Sequence, residues 1–415
     1  MSTEGWSPEV GLGQAVFVLS DALDLVGVDD VLHGKRVAWL ADHLLTRLGA
    51  QGLRGDVRLA SLLHDCGVSS TRHHQQLVVA TANHDDAHSE TGARLLADFA
   101  PLAHLAEAVR YHHTPWRDLG RLSPRDQTLA NTIFLADRID VLQARTAPAD
   151  APALRREVTE HLLRPFGPLF SPEVLAAARE ALETSMPVDV LRGRYPELLA
   201  QAPEGPHRVL SAGDALGLAR LFAQTVDAKS PFTARHSDGV AAVALHLADV
   251  TGRLRSSRAA LEIAALLHDL GKLRVPDAIL EKPGKLDPHE LGVMRTHAYE
   301  SQLILERISG FEDIARMAGQ HHELLDGSGY PFGLKGDAVP FESQLIAVAD
   351  IFQALAQDRP YRRALPTGEI LDIMRGMVRD GRLDGGLVQV LELDVQYAWQ
   401  LARPDAAPWP VRAAS

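Results

Sequence analysis

The chain has 415 residues, 46% of them hydrophobic and 23% charged, with a net charge of −12 and a single cysteine. That length exceeds what one hydrophobic core ordinarily organises, so two domains are expected. The acidic balance argues against a broad nucleic-acid surface, Cys66 alone excludes an intrachain disulfide, and no apolar run is long enough to span a bilayer.

The predicted elements are helices almost throughout, because apolar residues recur at helical spacing and strand-like alternation is nearly absent. Met1 to Val10 lacks the basic start and apolar core of a signal peptide, so the cytoplasm is the expected location. Helical text follows at Val37–Leu48, then at Gly239–Val250 and Ala259–His268. Gly and Pro clusters interrupt it, as at Lys282–Gly284 and Asp326–Pro331. Between the two halves, Met186–His207 carries four prolines and room for a short helix over Val188–Ala202. The fold class expected is all-α, with domains at 1–185 and 209–415 and a linker at 186–208.

The two halves repeat one another. ASLLHDCG at Ala60–Gly67 returns as AALLHDLG at Ala264–Gly271, and LADRIDVL matches VADIFQAL. Polar residues recur in the same order. The first half offers His33, His64, Asp65, His88, His112, His113 and Asp137; the second offers His236, His268, Asp269, His297, His321, His322 and Asp350. Seven such residues with matching neighbours indicate a tandem duplication of one helical domain.

Adjacent His and Asp at the end of an apolar helix cost free energy unless satisfied. Leu266 and Leu267 precede His268-Asp269, and Gly271 is expected to supply a left-handed turn that ends the helix. A lone HD pair is more often a hydrogen-bonded core pair. Five further imidazole and carboxylate residues at helix-compatible spacing favour a divalent metal instead, for which both are standard ligands. Cys66, beside His64-Asp65, reads as a small buried residue and not a nucleophile.

The stretch from Thr233 to Arg363 resembles the HD-GYP family of the HD phosphohydrolase superfamily. The resemblance is carried by TARHS, LLHDLGKLRVPDAILEKPGKL, HHELLDGSGYPFGLKGDAVP and VADIFQALAQDRPYR, with Gly329-Tyr330-Pro331 as the GYP. It implies metal ligation by His236, His268, Asp269, His297, His321, His322 and Asp350, with Asp269 bridging two divalent ions, iron or manganese. It also implies in-line hydrolysis of cyclic di-GMP to pGpG and onward to GMP. Lys272 would neutralise charge growing on the phosphoryl oxygens, while Tyr330, Arg359 and Arg362 would contact substrate. Asp326 and Gly327 are expected to shape the loop. The alternatives are another cyclic dinucleotide such as cyclic GMP-AMP, or a receptor that binds without turnover.

The departures from the family pattern are specific. Ala298 and Ser301 replace a Pro and a Gly after the third His, Gln353 replaces the second Asp of D-x-x-D, and Gln357 replaces a Ser. None is a ligand, but Gln353 is the first suspect for a changed base preference. Phe232 stands where some members carry a third-metal Glu, so two ions are expected, not three.

The first half keeps a full second set of ligand-type residues and a candidate metal. It has Val68 in place of Lys272 and lacks both the GYP and the RPYR text; Asp29 precedes its first His. A structural domain, a metal-binding regulatory domain and a second hydrolase all remain open, with metal binding favoured. Expected partners are a cyclic dinucleotide and a regulatory protein or second copy of the chain, not nucleic acid or membrane.

Overall fold

The computed structural model describes residues 6, 10–27, 32–68, 87–147, 150–183, 186–191, 196–200, 208–229, 235–357 and 363–403. Among these the secondary structure is helical, and the β pairing is an isolated bridge between Gly11 and Val209. The fold is all-α. Two compact units divide the chain, Gly11–Val209 and Leu210–Ser415, with Met1–Val10 grouped with the second. The segment 186–208, expected as a linker, thus falls within the first unit. Among its described residues are short helices at Met186–Leu191 and Pro196–Leu199; part of the helix expected over Val188–Ala202 lies outside the described residues.

The first unit contains α1 (Leu12–Asp24), α2 (His33–Arg47), α3 (Arg54–Leu62), α4 (Ala87–Ala97), α5 (Ala106–Arg110), α6 (Pro124–Thr146), α7 (Ala151–Val158) and α8 (Pro172–Ala181). Helix α2 packs on α3, α6 and α8, burying Val37, Leu40, Ala41, Leu44 and Leu45. Sequence punctuation sets the helix starts. Ser123 and Ser171 each accept a hydrogen bond from a first-turn amide, and each is followed by proline at the first helical position, where a missing N–H costs nothing.

The second unit repeats this order with α9 (Ala212–Asp227), α10 (His236–Thr251), α11 (Arg258–Leu267), α12 (Pro288–Leu305), α13 (Glu312–Gly319), α14 (Phe341–Ala356), α15 (Thr367–Arg379), α16 (Gly385–Leu393) and α17 (Val395–Ala402). Capping boxes open α9 at Ser211/Asp214 and α12 at Asp287/Glu290. Helix α10 is central. It packs on α11, α14 and α17 through Val240, Val243, Ala244 and Leu247, all buried. Helix α11 in turn contacts α9 and α13, which brings the ends of α11 and α13 beside the start of α10.

The repeat extends to backbone detail. The residue before each first histidine has left-handed geometry without being glycine: Leu32 at φ 75° and Arg235 at φ 58°. Such a residue costs about 1–2 kcal/mol, which the surrounding packing must offset.

Candidate metal centre

The second unit gathers all seven expected residues. His236 is the first residue of α10, His268 and Asp269 follow α11, His297 lies on α12, His321 and His322 follow α13, and Asp350 lies on α14. The two carboxylate oxygens of Asp269 face different groups. Oδ2 lies 3.4 Å from His236 Nε2 and 3.3 Å from His268 Nε2. Oδ1 lies 3.4 Å from His297 Nε2 and 4.0 Å from His321 Nε2. Asp350 Oδ1 joins the first group, 3.4 Å from His236 Nε2, and His322 joins the second.

Hydrogen bonds decide which ring nitrogen is free. The Nδ1 atoms of His268, His297 and His321 each meet the carbonyl three residues earlier, at 2.7, 2.6 and 2.6 Å. A carbonyl only accepts, so Nδ1 carries a proton, and a neutral ring then presents the Nε2 lone pair to the cluster. For His268, burial works against the charged form, but the Asp269 carboxylate outweighs it and raises the pKa above its ordinary value. Burial pushes His297 down to about 4 and His321 to about 3, so both are neutral at physiological pH. Burial opposes ionisation of Asp269 as well, but the neighbouring His268 and Lys272 hold it well below the usual carboxylate range.

The arrangement leaves polar atoms that protein groups do not satisfy. His236 Nε2 and His268 Nε2 stand 3.3 Å apart, and His297 Nε2 and His321 Nε2 stand 3.5 Å apart. Each pair is favourable only with a proton or a metal cation between the two nitrogens. Asp269 Oδ1 is buried with no hydrogen-bond partner among the described residues. Imidazole nitrogens and carboxylate oxygens converging in this way fit divalent transition metals.

Lys272 reaches the same carboxylate, its Nζ 2.5 Å from Asp269 Oδ2. Tyr330 lies over His322 with ring centroids 4.6 Å apart, and its amide donates to the His322 carbonyl. Asp326 accepts from the Ser328 amide and hydroxyl, and Gly327 has φ 84°, so both shape the loop as expected. Arg359 and Arg362, with Phe232 and Asp29, lie outside the described residues.

Gly271 corrects the sequence reading. It is not left-handed; a Cβ there would come within 2.2 Å of the His297 carbonyl oxygen, so the position needs glycine for close packing of the HD turn on α12. Gly67 stands 2.0 Å by the same measure from the His88 carbonyl oxygen. Ser301, a departure from the family pattern, takes part in this turn: its hydroxyl accepts from the Gly271 amide and donates to the His268 carbonyl, both at 2.9 Å.

Sequence reasoning missed Glu323 and Arg295, and it marked Gln353 without finding its partner. Buried Glu323 accepts from the amides of Phe332 and Leu334 at 2.6 and 2.8 Å, fixing the GYP turn. Arg295 lies over the Tyr330 ring at 5.1 Å and has no acidic partner among the described residues. Gln353 accepts from His236 Nδ1 at 2.6 Å. None of these contacts has a local sequence signal, because each joins segments distant in the chain or on opposite sides of a turn.

The first unit forms a parallel cluster. Asp65 Oδ2 lies 3.3 Å from His64 Nε2, while Oδ1 lies 3.6 and 3.9 Å from His88 and His112 Nε2. His33 and His113 lie 3.6 and 3.9 Å from Asp137. His64 Nε2, His112 Nε2 and Asp65 Oδ1 are buried without hydrogen-bond partners among the described residues. Here Arg138 holds Asp137 Oδ2 at 2.6 Å, a cation that Ile351 replaces in the second unit.

Models of the HD domain match residues 31–142 and 220–387. A 3'3'-cGAMP-specific phosphodiesterase of Vibrio cholerae is 37% identical over 405 residues, covering 95% of this chain and 94% of the relative. A cyclic di-GMP phosphodiesterase response regulator of Xanthomonas campestris is 37% identical over 201 residues, 45% of this chain and 51% of its own. The crystal structure of a cyclic GMP-AMP-specific phosphodiesterase from V. cholerae matches 93% of this chain and 98% of its own, with TM-score 0.63 and 24% identity, which supports the fold.

Proposed function

Because the chain belongs to the HD-GYP family of HD-domain phosphodiesterases, we propose that it is a metal-dependent enzyme that opens a cyclic dinucleotide. The observation that carries this is Asp269, whose two oxygens each face a separate group of imidazoles beside Lys272. On this reading His236, His268, Asp269 and Asp350 would hold one divalent ion, and Asp269, His297, His321 and His322 a second. Such ions supply Lewis-acid polarisation of a phosphoryl oxygen and a more acidic water. Lys272 then offsets negative charge developing on the phosphate. Tyr330 offers a face for a base, and Arg295 a nearby cation for an anionic ligand.

The first substrate we assign is 3'3'-cyclic GMP-AMP, supported by a relative of that specificity matching across both halves of the chain. This displaces cyclic di-GMP, the expectation from motifs alone, to the second reading. Relatives named for cyclic di-GMP support it through the catalytic half. Purified full-length protein, loaded with manganese or iron, is expected to linearise 3'3'-cyclic GMP-AMP faster than cyclic di-GMP. The reverse ranking would restore the second reading, and binding of either without product would leave a receptor.

The first unit, on the same physical ground, is assigned a metal-binding role. Its unpartnered His64, His112 and Asp65 atoms support it, and Val68 in place of Lys272 argues against the same chemistry.

A further inference from the structure

Three of the histidines in the second unit obtain their orientation locally, from a carbonyl one turn earlier. His236 has no such resource. It is the first residue of α10, so no preceding helical turn presents a carbonyl to its Nδ1. A partner must come from elsewhere in the fold, and it comes from 117 residues away: Gln353 Oε1, at 2.6 Å.

An amide side chain can face a ring nitrogen with its oxygen or with its NH2 group, and only the first leaves Nε2 with a lone pair. The surroundings of Gln353 decide the matter. Its Nε2 meets two acceptors, the Ala402 carbonyl and Gln357 Oε1, each at 3.3 Å. The NH2 end therefore points away from His236, and the oxygen must face it. Gly239 leaves space for this contact, since a Cβ there would lie 2.7 Å from the Ala402 oxygen and 3.2 Å from Gln353 Cγ. Gln353 is itself 1% exposed, so water does not compete for these bonds.

The first unit solves the same problem with different chemistry. His33 also begins its helix, and its Nδ1 meets Asp140 Oδ2 at 2.8 Å. The carboxylate is matched by Arg36, whose Nε and Nη2 donate at 2.7 and 2.9 Å. Asp140 aligns with Gln353 and Arg36 with Gly239 in the repeat. Each pair is internally consistent: a carboxylate needs the guanidinium, whereas an amide needs the carbonyl acceptor and the room that glycine leaves.

We propose that Gln353 is the residue that positions His236 for metal, as the middle of a relay from the Ala402 carbonyl at the end of α17 to His236 Nε2. Substituting Gln for Asp preserves the ring orientation while removing a negative charge from beside the centre. The proposal rests on the metal reading of this site, and its test has an arm that does not.

Full-length protein is loaded with manganese, and its loss to excess chelator is timed. Gln353→Met keeps the volume and removes the acceptor, so manganese should leave about 10–100-fold faster. Gln353→Glu keeps an oxygen toward Nδ1 and, with its second oxygen protonated to donate to the Ala402 carbonyl, should stay within a few fold of the parent. Equal retention by Gln353→Met and parent overturns the proposal. Equal loss from both variants does so too, because shape and not the acceptor would then matter. The independent arm uses ¹⁵N-histidine spectra of chelator-stripped parent protein, where His236 should carry its proton on Nδ1. A proton on Nε2 overturns the proposal whatever the variants do. A parent that takes up no manganese removes the metal centre proposed above, and the tautomer still decides the role of Gln353.

Discussion

Lys272 and Cys66 each lie close to an HD pair, and their neighbours give them different chemistry. The Lys272 ammonium lies against Asp269, next to where substrate phosphate would approach the imidazole groups. Lys272→Ala should lower kcat by about 10²–10³ while metal content stays at the parent level. Unchanged kcat, with metal intact, would remove Lys272 from the mechanism. Cys66 is fully buried, its Sγ directed at the Gly92 carbonyl at 3.8 Å. Burial, with the Asp65 charge adding to it, pushes the thiol from its ordinary 9.0 up to about 12. The folded thiol is therefore neutral at pH 8.5–9, where the unfolded one begins to ionise. The sign follows: the associated stability is fully present below pH 9 and is lost as pH rises toward 12. Native protein at pH 8.5 should resist alkylation, and protein in denaturant should take up one equivalent; rapid native labelling would show the site open.

At the scale of elements, helix ends carry the site and a buried carboxylate shapes its mouth. Metal-type residues sit at the start of α10 and just after α11 and α13, because packing of α10 on α11 and of α11 on α13 brings those termini together. The GYP turn follows α13 and is held by Glu323 across the amides of Phe332 and Leu334. Gly329 lies so close to the preceding backbone that a Cβ would come within 2.4 Å of the Leu324 nitrogen. Glu323→Gln replaces one accepting oxygen by a donor facing an N–H. Losing a hydrogen bond to a charged group costs about 1.5–3 kcal/mol, so KM for the dinucleotide should rise on the order of tenfold with metal content unchanged. A fall confined to kcat would place Glu323 in the chemistry and not in the turn.

For the whole molecule, duplication poses the question of divided labour. Both units hold seven matching residues, yet only the second has Lys272 and the GYP turn. Asp269→Ala in the full chain should abolish dinucleotide hydrolysis and reduce bound metal, because the Asp269 oxygens face both imidazole groups. His64→Ala with Asp65→Ala should remove metal from the first unit and lower the melting temperature, leaving the chemistry of the second in place. Residual hydrolysis in Asp269→Ala that vanishes on adding Asp65→Ala would make the first unit catalytic as well. The helices, the repeat and the two sets of seven His and Asp residues that the fold gathers were legible in the sequence, because apolar periodicity and residue order are local or linear properties. The reason Gly271 must be glycine, the lock that Ser301 forms and the partners of His236 and His33 were not. They depend on atoms brought within bonding distance by packing, and Gln353 and Asp140 differ in meaning only because Ala402 stands beside one and Arg36 beside the other.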